Sequence, residues 1–489
     1  MDSFYRLITA SLNRVGVFSS GVSGSNSDPG YGVTVMKFVA SVATVLLVLA
    51  ASVPMAVSTA VSTAVPTAVP MGVPAAQAAP PNSFQTRYLD IPIQETGVVD
   101  VVADGDTFRF IEDGTSDFVT VRLLGVNTPE IRGFNNVHRD ADMCGGAEAT
   151  EVLKSVLRPG SRVQLRSLSK ESENRGRIQR YAFAWNPLTE QYDIDVQAII
   201  AQSGLAMWFT VKNESSLSYQ YRVMIAQTQL ENRGIWNPEY CGPLEQPDAN
   251  ISVIVNWDAP GNDNENINGE FITVRNIGDQ DVDLTGWLLR DSSLTSWFYF
   301  PGGSVLAPND FRVVHAGVGV NGTPKPRDLY MNSETALFPN IAPKLFLGDG
   351  AYLLDRNTAM RNYYEYPCVL DCSDPLQGVL RITKVNAVST AKSMAARANQ
   401  EYIRIKNDGL DPVLLDGYYL RRGVSTYPFL VNSVIKPGKI LTVRIGKGTP
   451  TRSTQYWGRD STLLRDKGDR VALMSNRNVT ITAKAWGDY

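Results

Sequence analysis

Three short runs in the chain carry residue types that can act together on a phosphate ester. They are Asp104-Gly105-Asp106-Thr107, then Arg122-Leu123-Leu124-Gly125-Val126-Asn127-Thr128-Pro129-Glu130, then Gly176-Arg177. Hydrolysis of a phosphodiester needs a hard cation to neutralise the phosphate and a base to activate water. It also needs donors for the charge that grows on the phosphoryl oxygens. Calcium takes carboxylate, amide and backbone oxygens, which an Asp-Gly-Asp turn and an Asn-Thr-Pro-Glu turn can supply together. Two arginines offer planar forks that match phosphate oxygens, a geometry lysine lacks. Each piece alone has a plain reading: Asp-Gly-Asp-Thr as a β-turn, Thr-Pro-Glu as a helix start, a lone arginine as a solvated group. Ordered in one short stretch, with a strand before each turn, they point to metal-assisted cleavage. The chain has two histidines, His138 and His315, far apart in sequence. That argues against a His-rich metal site or a Ser-His-Asp apparatus and makes a carboxylate the expected base.

The elements that must hold these residues follow from local pattern. Residues 98–126 are rich in β-branched and aromatic types and alternate in places, with Gly and Asp between, which predicts a strand meander. Helical spacing follows at 147–157 and is closed by Pro159-Gly160. Strands are expected again at 162–166 and 180–185, then helices at 195–203 and 217–232. The order β, α, β, α, α suits a small barrel with helices attached. Residues 243–247, Pro-Leu-Glu-Gln-Pro, read as a linker. Beyond it the chain repeats. Gly269-Glu270-Phe271-Ile272-Thr273-Val274-Arg275-Asn276 aligns without gaps to Gln400-Glu401-Tyr402-Ile403-Arg404-Ile405-Lys406-Asn407, and the register continues through Trp287 and Tyr418. Alternation of period two and turn residues predict two β-sandwiches there. Phe271, Trp287, Tyr402 and Tyr418 read as core aromatics.

A chain of 489 residues is too long for one core, so several domains are expected. The division drawn is 1–84 (export signal and low-complexity segment), 85–242, 250–376 and 377–489. The net charge of −3 hides an asymmetry: 85–249 carries −7, 250–376 carries −8 and 377–489 carries +11. A basic terminal domain beside two acidic ones suggests that binding and chemistry are divided. Lys37 before the apolar run 38–51, with Ala76-Gln77-Ala78 as a small-residue cleavage site, reads as an export signal and predicts a secreted or cell-surface protein. Met36 is a candidate start, and a retained membrane anchor is the rival reading. Four cysteines fit an oxidising compartment. The simplest of three pairings joins Cys144 to Cys241 and Cys368 to Cys372.

The first domain resembles the staphylococcal nuclease (thermonuclease) family over roughly residues 98–236, on the three runs above and the closing run Asn232-Arg233-Gly234-Ile235-Trp236. The resemblance implies an OB-type five-stranded β-barrel with helices, and cleavage of DNA and RNA with little sequence preference. It implies that Asp106, the Asn127 side chain and the Thr128 carbonyl surround Ca²⁺, with Asp104 supporting them. By the same resemblance Glu130 activates water, and Arg122 and Arg177 stabilise the phosphate. Two positions depart from the family. Asn127 stands where aspartate is usual, which keeps an oxygen ligand but removes a charge. An extracellular site tolerates the resulting weak binding, with dissociation constants of about 10⁻⁴ to 10⁻³ M. Arg175 stands where tyrosine often precedes the Gly-Arg pair. Trp208 and Phe209, near a position where the family places another tyrosine, can stack on a base or close the core.

The repeats resemble lamin tail domains, which are immunoglobulin-like, through Gly269-Glu270-Phe271-Ile272, Asn276, Gly278 and Asp283-Leu284-Thr285-Gly286-Trp287. No catalytic set is implied there. The expectation for the whole is a multidomain, mainly β protein acting as an exported Ca²⁺-dependent nuclease. The alternative is a catalytically weakened protein that binds nucleic acid or the cell envelope. Residues 377–489 would hold DNA or an anionic envelope polymer near the catalytic domain through the tether.

Overall fold

The computed structural model describes residues 87–132, 141–259, 261–341 and 346–489. The export signal read at 37–78 and His138 lie outside the described residues. Among those described, no helix is long and apolar enough to cross a membrane.

The first domain is built on β1 (Ile93–Val102), β2 (Thr107–Glu112) and β3 (Phe118–Leu123), then β4 (Val126–Asn127), β5 (Arg162–Arg166) and β6 (Glu173–Asn174). Its last strands are β7 (Arg177–Asn186), β8 (Gln191–Asp195) and β9 (Met207–Trp208). The sheet order is β3-β2-β1-β5-β7-β6, and a parallel pairing of β3 with β7 closes it into the expected five-stranded barrel. Phe108, Phe110, Val121, Leu123, Leu165, Tyr181 and Phe183 fill its interior without exposure. Each such side chain contributes about 1.5–3 kcal/mol by leaving water.

Helices at Gly146–Val156, Val196–Ser203 and Ser218–Leu230 stand where their spacing predicted them. The middle one starts at Asp195, whose carboxylate accepts from the Ala198 amide at 2.9 Å, and stops at Gly204. The disulfide Cys144–Cys241 joins the front of the first helix to the end of the domain. Cys368–Cys372 closes a short loop, so both expected pairs are present.

Two sandwiches follow with the same topology. The first begins β10 (Ile251–Asn256), β11 (Phe271–Asn276), β12 (Val282–Asp283), β13 (Leu288–Asp291) and β14 (Trp297–Tyr299). Each sandwich packs one four-stranded sheet on another. The repeat in sequence is a repeat in bonding. Asn276 Nδ2 donates to the Gln280 and Leu306 carbonyls at 2.7 and 2.9 Å, and Asn407 Nδ2 donates to those of Asp411 and Ile435 at the same distances. Glu270 accepts from the amides of Leu337 and Phe338, as Glu401 does from those of Leu463 and Leu464. The shared Glu and Asn therefore satisfy buried backbone groups. Of the four aromatics expected in the cores, Trp287 is wholly buried in the first and Tyr418 packs against the second, whereas Phe271 and Tyr402 are half-buried and belong to neither hydrophobic cluster.

The barrel and the first sandwich are not joined as beads on a string. Leu288, Tyr352, Leu354 and Met360 of the sandwich belong to the barrel's own hydrophobic cluster. Across the same joint, buried Arg222 pairs with buried Glu365 at 2.9 Å. The connecting residues 243–247 lack regular structure, yet Gln246 is bonded to Asp283 in both directions at 2.8 Å. The second sandwich is fixed to the first by Arg275–Asp416 at 2.7 Å and by Trp257, whose indole donates to the Asn476 carbonyl at 2.8 Å. The tether expected from the sequence is thus a packed joint.

Candidate active site

The turn from β1 to β2 is drawn tight by its own polar groups. The Ala103 and Asp104 amides donate to the Thr107 carbonyl at 2.9 and 3.2 Å, and the Asp106 amide donates to Asp104 Oδ1 at 3.0 Å. A Cβ on Gly105 would lie 2.6 Å from Thr128 Oγ1, so glycine lets this turn touch the Asn-Thr-Pro turn. Asp106 makes that junction. Its Oδ2 accepts from the Thr128 amide at 2.9 Å, while Oδ1 accepts from Thr107 Oγ1 at 3.0 Å. Two loops 22 residues apart therefore meet on one carboxylate.

Asp104 and Asp106 are both buried, and burial together with the Asp106 charge pushes Asp104 up to about 8. Asp104 Oδ2 has no hydrogen-bonding partner among the described residues. Asp106 and the Asn127 amide oxygen close by are hard oxygen donors of the kind calcium takes, with Asp104 bracing the turn beneath them. The positive charge now among these oxygens is Arg122. Its Nη2 lies 3.1 Å from Asp106 Oδ2 and donates to Asn127 Oδ1, while Nη1 donates to the Leu123 and Val126 carbonyls at 2.8 Å each. Guanidinium and cation would therefore compete for the same oxygens. Among the described residues, no group of three or more His, Cys, Asp and Glu is placed to hold a metal, so a site here depends on amide and backbone oxygens.

Barrel closure brings the second arginine to the first. Arg122 on β3 lies opposite Gln179 on β7, two residues beyond Arg177. Arg177 is presented by a two-residue hairpin turn, with Asn174 paired to Arg177 and positive φ at Arg175 (53°) and Gly176 (75°). That is the I′ pattern, which glycine makes easy at its second position. Arg177 Nη1 donates to Thr107 Oγ1 at 3.4 Å, and burial with the nearby Arg122 charge holds its pKa below the usual value. Glu130 is half-buried, and its charge is felt at Asp104, Arg177 and Arg290.

Arg122, Asn127, Glu130 and Arg177 line one cleft of about 270 Å³. Arg175 and Phe209 line it too. The sequence-predicted set is therefore gathered on one face, with Asp104, Asp106 and Thr128 bonded together beneath. Trp208 is a correction. It is unexposed in the core, its indole donates to the Ser218 carbonyl at 3.0 Å, and its ring packs on Phe346 of the first sandwich. Large aromatic area with one satisfied polar atom suits a core, and no substrate base can reach it. Phe209 does reach the cleft, but the Arg122 guanidinium already lies over its ring at 4.9 Å.

The far wall comes from elsewhere in the chain. Ser293, Leu294, Thr295 and Trp297, in the hairpin between β13 and β14 of the first sandwich, line the same cleft. The Ser292 carbonyl accepts from Asn127 Nδ2 at 3.0 Å and from Arg290 Nη2 at 3.0 Å. Nothing in the sequence signals this contact, which spans 165 positions. Arg175 was visible only as a departure from the resembled pattern.

Comparison with known proteins agrees with this fold. Residues 120–238 match the family described as staphylococcal nuclease homologue, and residues 245–367 and 375–488 each match the lamin tail domain. A curated Bacillus subtilis (strain 168) protein, endonuclease YhcR, is 28% identical over 148 residues, which is 29% of this chain. The chain spans only 11% of the length of that relative.

Proposed function

We propose, for a chain that carries a staphylococcal nuclease domain followed by two lamin tail domains, that it is a Ca²⁺-dependent phosphodiesterase cutting DNA and RNA. One observation carries the reading: Glu130, Arg122 and Arg177 line a single cleft that also reaches Asn127, directly beside the buried Asp104–Asp106 pair. Asp106, Asn127 Oδ1 and the Thr128 carbonyl would hold Ca²⁺, which when bound supplies charge neutralisation for a scissile phosphate. Glu130 takes a proton from the attacking water. Arg177, and Arg122 once drawn from Asp106, donate to the phosphoryl oxygens as their charge grows. Asp104 braces the Asp106 turn. The apolar run and small-residue site near the N-terminus support export. The +11 charge of 377–489 supports its holding nucleic acid or an anionic envelope polymer.

The test is hydrolysis of single-stranded DNA by the purified chain in calcium or chelator. Glu130→Gln is expected to lower kcat by about 10²–10⁴-fold, the usual worth of a positioned base. Calcium-independent cleavage, or full activity in that variant, would remove the reading.

A second reading, a binding protein with weakened turnover, draws on Asn127. Both ends of its amide are engaged, Oδ1 by Arg122 and Nδ2 by Ser292. Retained nucleic-acid binding without turnover would favour it.

A further inference from the structure

The hairpin 291–297 is built as a rigid part of the cleft. The Asp291 carboxylate organises it, accepting from the Thr295 amide at 3.0 Å, the Ser296 amide at 3.3 Å and Ser293 Oγ at 2.8 Å. Its base is fixed by wholly buried Arg290, whose Nε donates to the Asp291 carbonyl at 2.9 Å. Ser292 is held further by Asp349. Leu294 is buried at the cleft with φ of 54°, a left-handed conformation costing a bulky residue about 1–2 kcal/mol. Strain of this kind persists where surroundings over-determine it. Trp297 is different: it lines the same cleft as Arg175 and Arg177 yet stays 37% exposed.

We propose that this hairpin of the first lamin tail domain is the second wall of the substrate cleft, and that Trp297 stacks a base of single-stranded nucleic acid whose phosphate lies against Arg122 and Arg177. The proposal rests on the phosphodiesterase reading and adds to it a substrate contact supplied by a second domain. Sequence-tolerant binding of single strands combines cationic groups along the backbone with aromatic faces for the bases, and here the two come from different domains. A cleft of about 270 Å³, lined from both domains, is of the order of one nucleotide.

The experiment compares the full chain with Trp297→Ala and Trp297→Phe on a single-stranded oligonucleotide and on its blunt duplex, in calcium. Wild type is expected to cut the single strand at least tenfold faster than the duplex. Trp297→Ala should raise KM for the single strand roughly fivefold or more, the range of a lost base–aromatic stack, with kcat within about twofold. Trp297→Phe should restore most of the affinity. Should Trp297→Ala misfold, oligo(dT) titrated into the full chain bearing Glu130→Gln decides, since tryptophan fluorescence should quench there and much less once Trp297→Phe is added. If wild type cleaves neither substrate, the phosphodiesterase reading falls. If it cleaves but cuts duplex equally well, or if Trp297→Ala leaves KM unmoved, only the present proposal falls.

Discussion

Asn127 holds a position where a family resemblance expects a carboxylate, and the structure supplies a reason for the amide. Its Nδ2 is a donor to the Ser292 carbonyl, which a carboxylate cannot be. Its Oδ1 is still an oxygen turned to Arg122 and available in kind to a cation. Asn127→Asp would set a negative charge against that carbonyl while adding charge beside Asp106. The variant is expected to bind calcium more tightly and to be less stable by about 1–3 kcal/mol, the cost of leaving a buried polar group badly paired. Calcium titration and thermal denaturation of the same preparation check both. An unchanged melting temperature would mean the amide does not anchor the hairpin.

Glu270 opens the strand β11, and its counterpart Glu401 opens the matching strand of the second repeat. Burial pushes Glu270 up to about 8 from an ordinary 4.5. The folded chain therefore binds more protons than the unfolded chain between those values. The stability this group contributes is fully present below pH 4.5 and is lost as pH rises through about 8. Glu270→Gln, which keeps an acceptor for the Leu337 and Phe338 amides, should flatten that loss by up to a few kcal/mol. Asp104 and Asp349 are also raised to about 8, so wild type and variant must be compared across pH rather than at one value. Melting temperatures at pH 5 and pH 8 that fall equally in both proteins would rule out this role for Glu270.

The barrel and first sandwich share a hydrophobic cluster and a buried ion pair, so they are expected to unfold together. Glu365 receives Arg222 at 2.9 Å, Gln229 Nε2 at 2.8 Å and the Tyr352 hydroxyl. Glu365→Ala would leave the Arg222 charge buried beside the joint, at a cost of about 3–5 kcal/mol. Calorimetry of the wild type should show one transition for these two units, shifted down in the variant. A separate barrel transition that the substitution leaves in place would show the units to be independent. The same joint explains why the hairpin can act as a wall: it is carried on a core continuous with the one that carries Arg122.

The strands, helices and repeats were legible because each writes a local signature: alternation of two, helical spacing, turn residues, and a Glu and Asn recurring at fixed offsets. The candidate site residues were legible for a related reason. Asp106, Arg122, Glu130 and Arg177 sit at turns and strand ends within three short runs of charged and turn-forming residues. What the chain order could not express was proximity created by closure and docking. Pairing of β3 with β7 brings two arginines together, and packing of Leu288 and Tyr352 into the barrel's core sets Ser292 against Asn127. Trp208 was open to a core or a stacking reading, because an indole satisfies both until its neighbours are known. Contacts between residues more than a hundred positions apart leave no period in a sequence; the burial that produces them is decided only once whole surfaces meet.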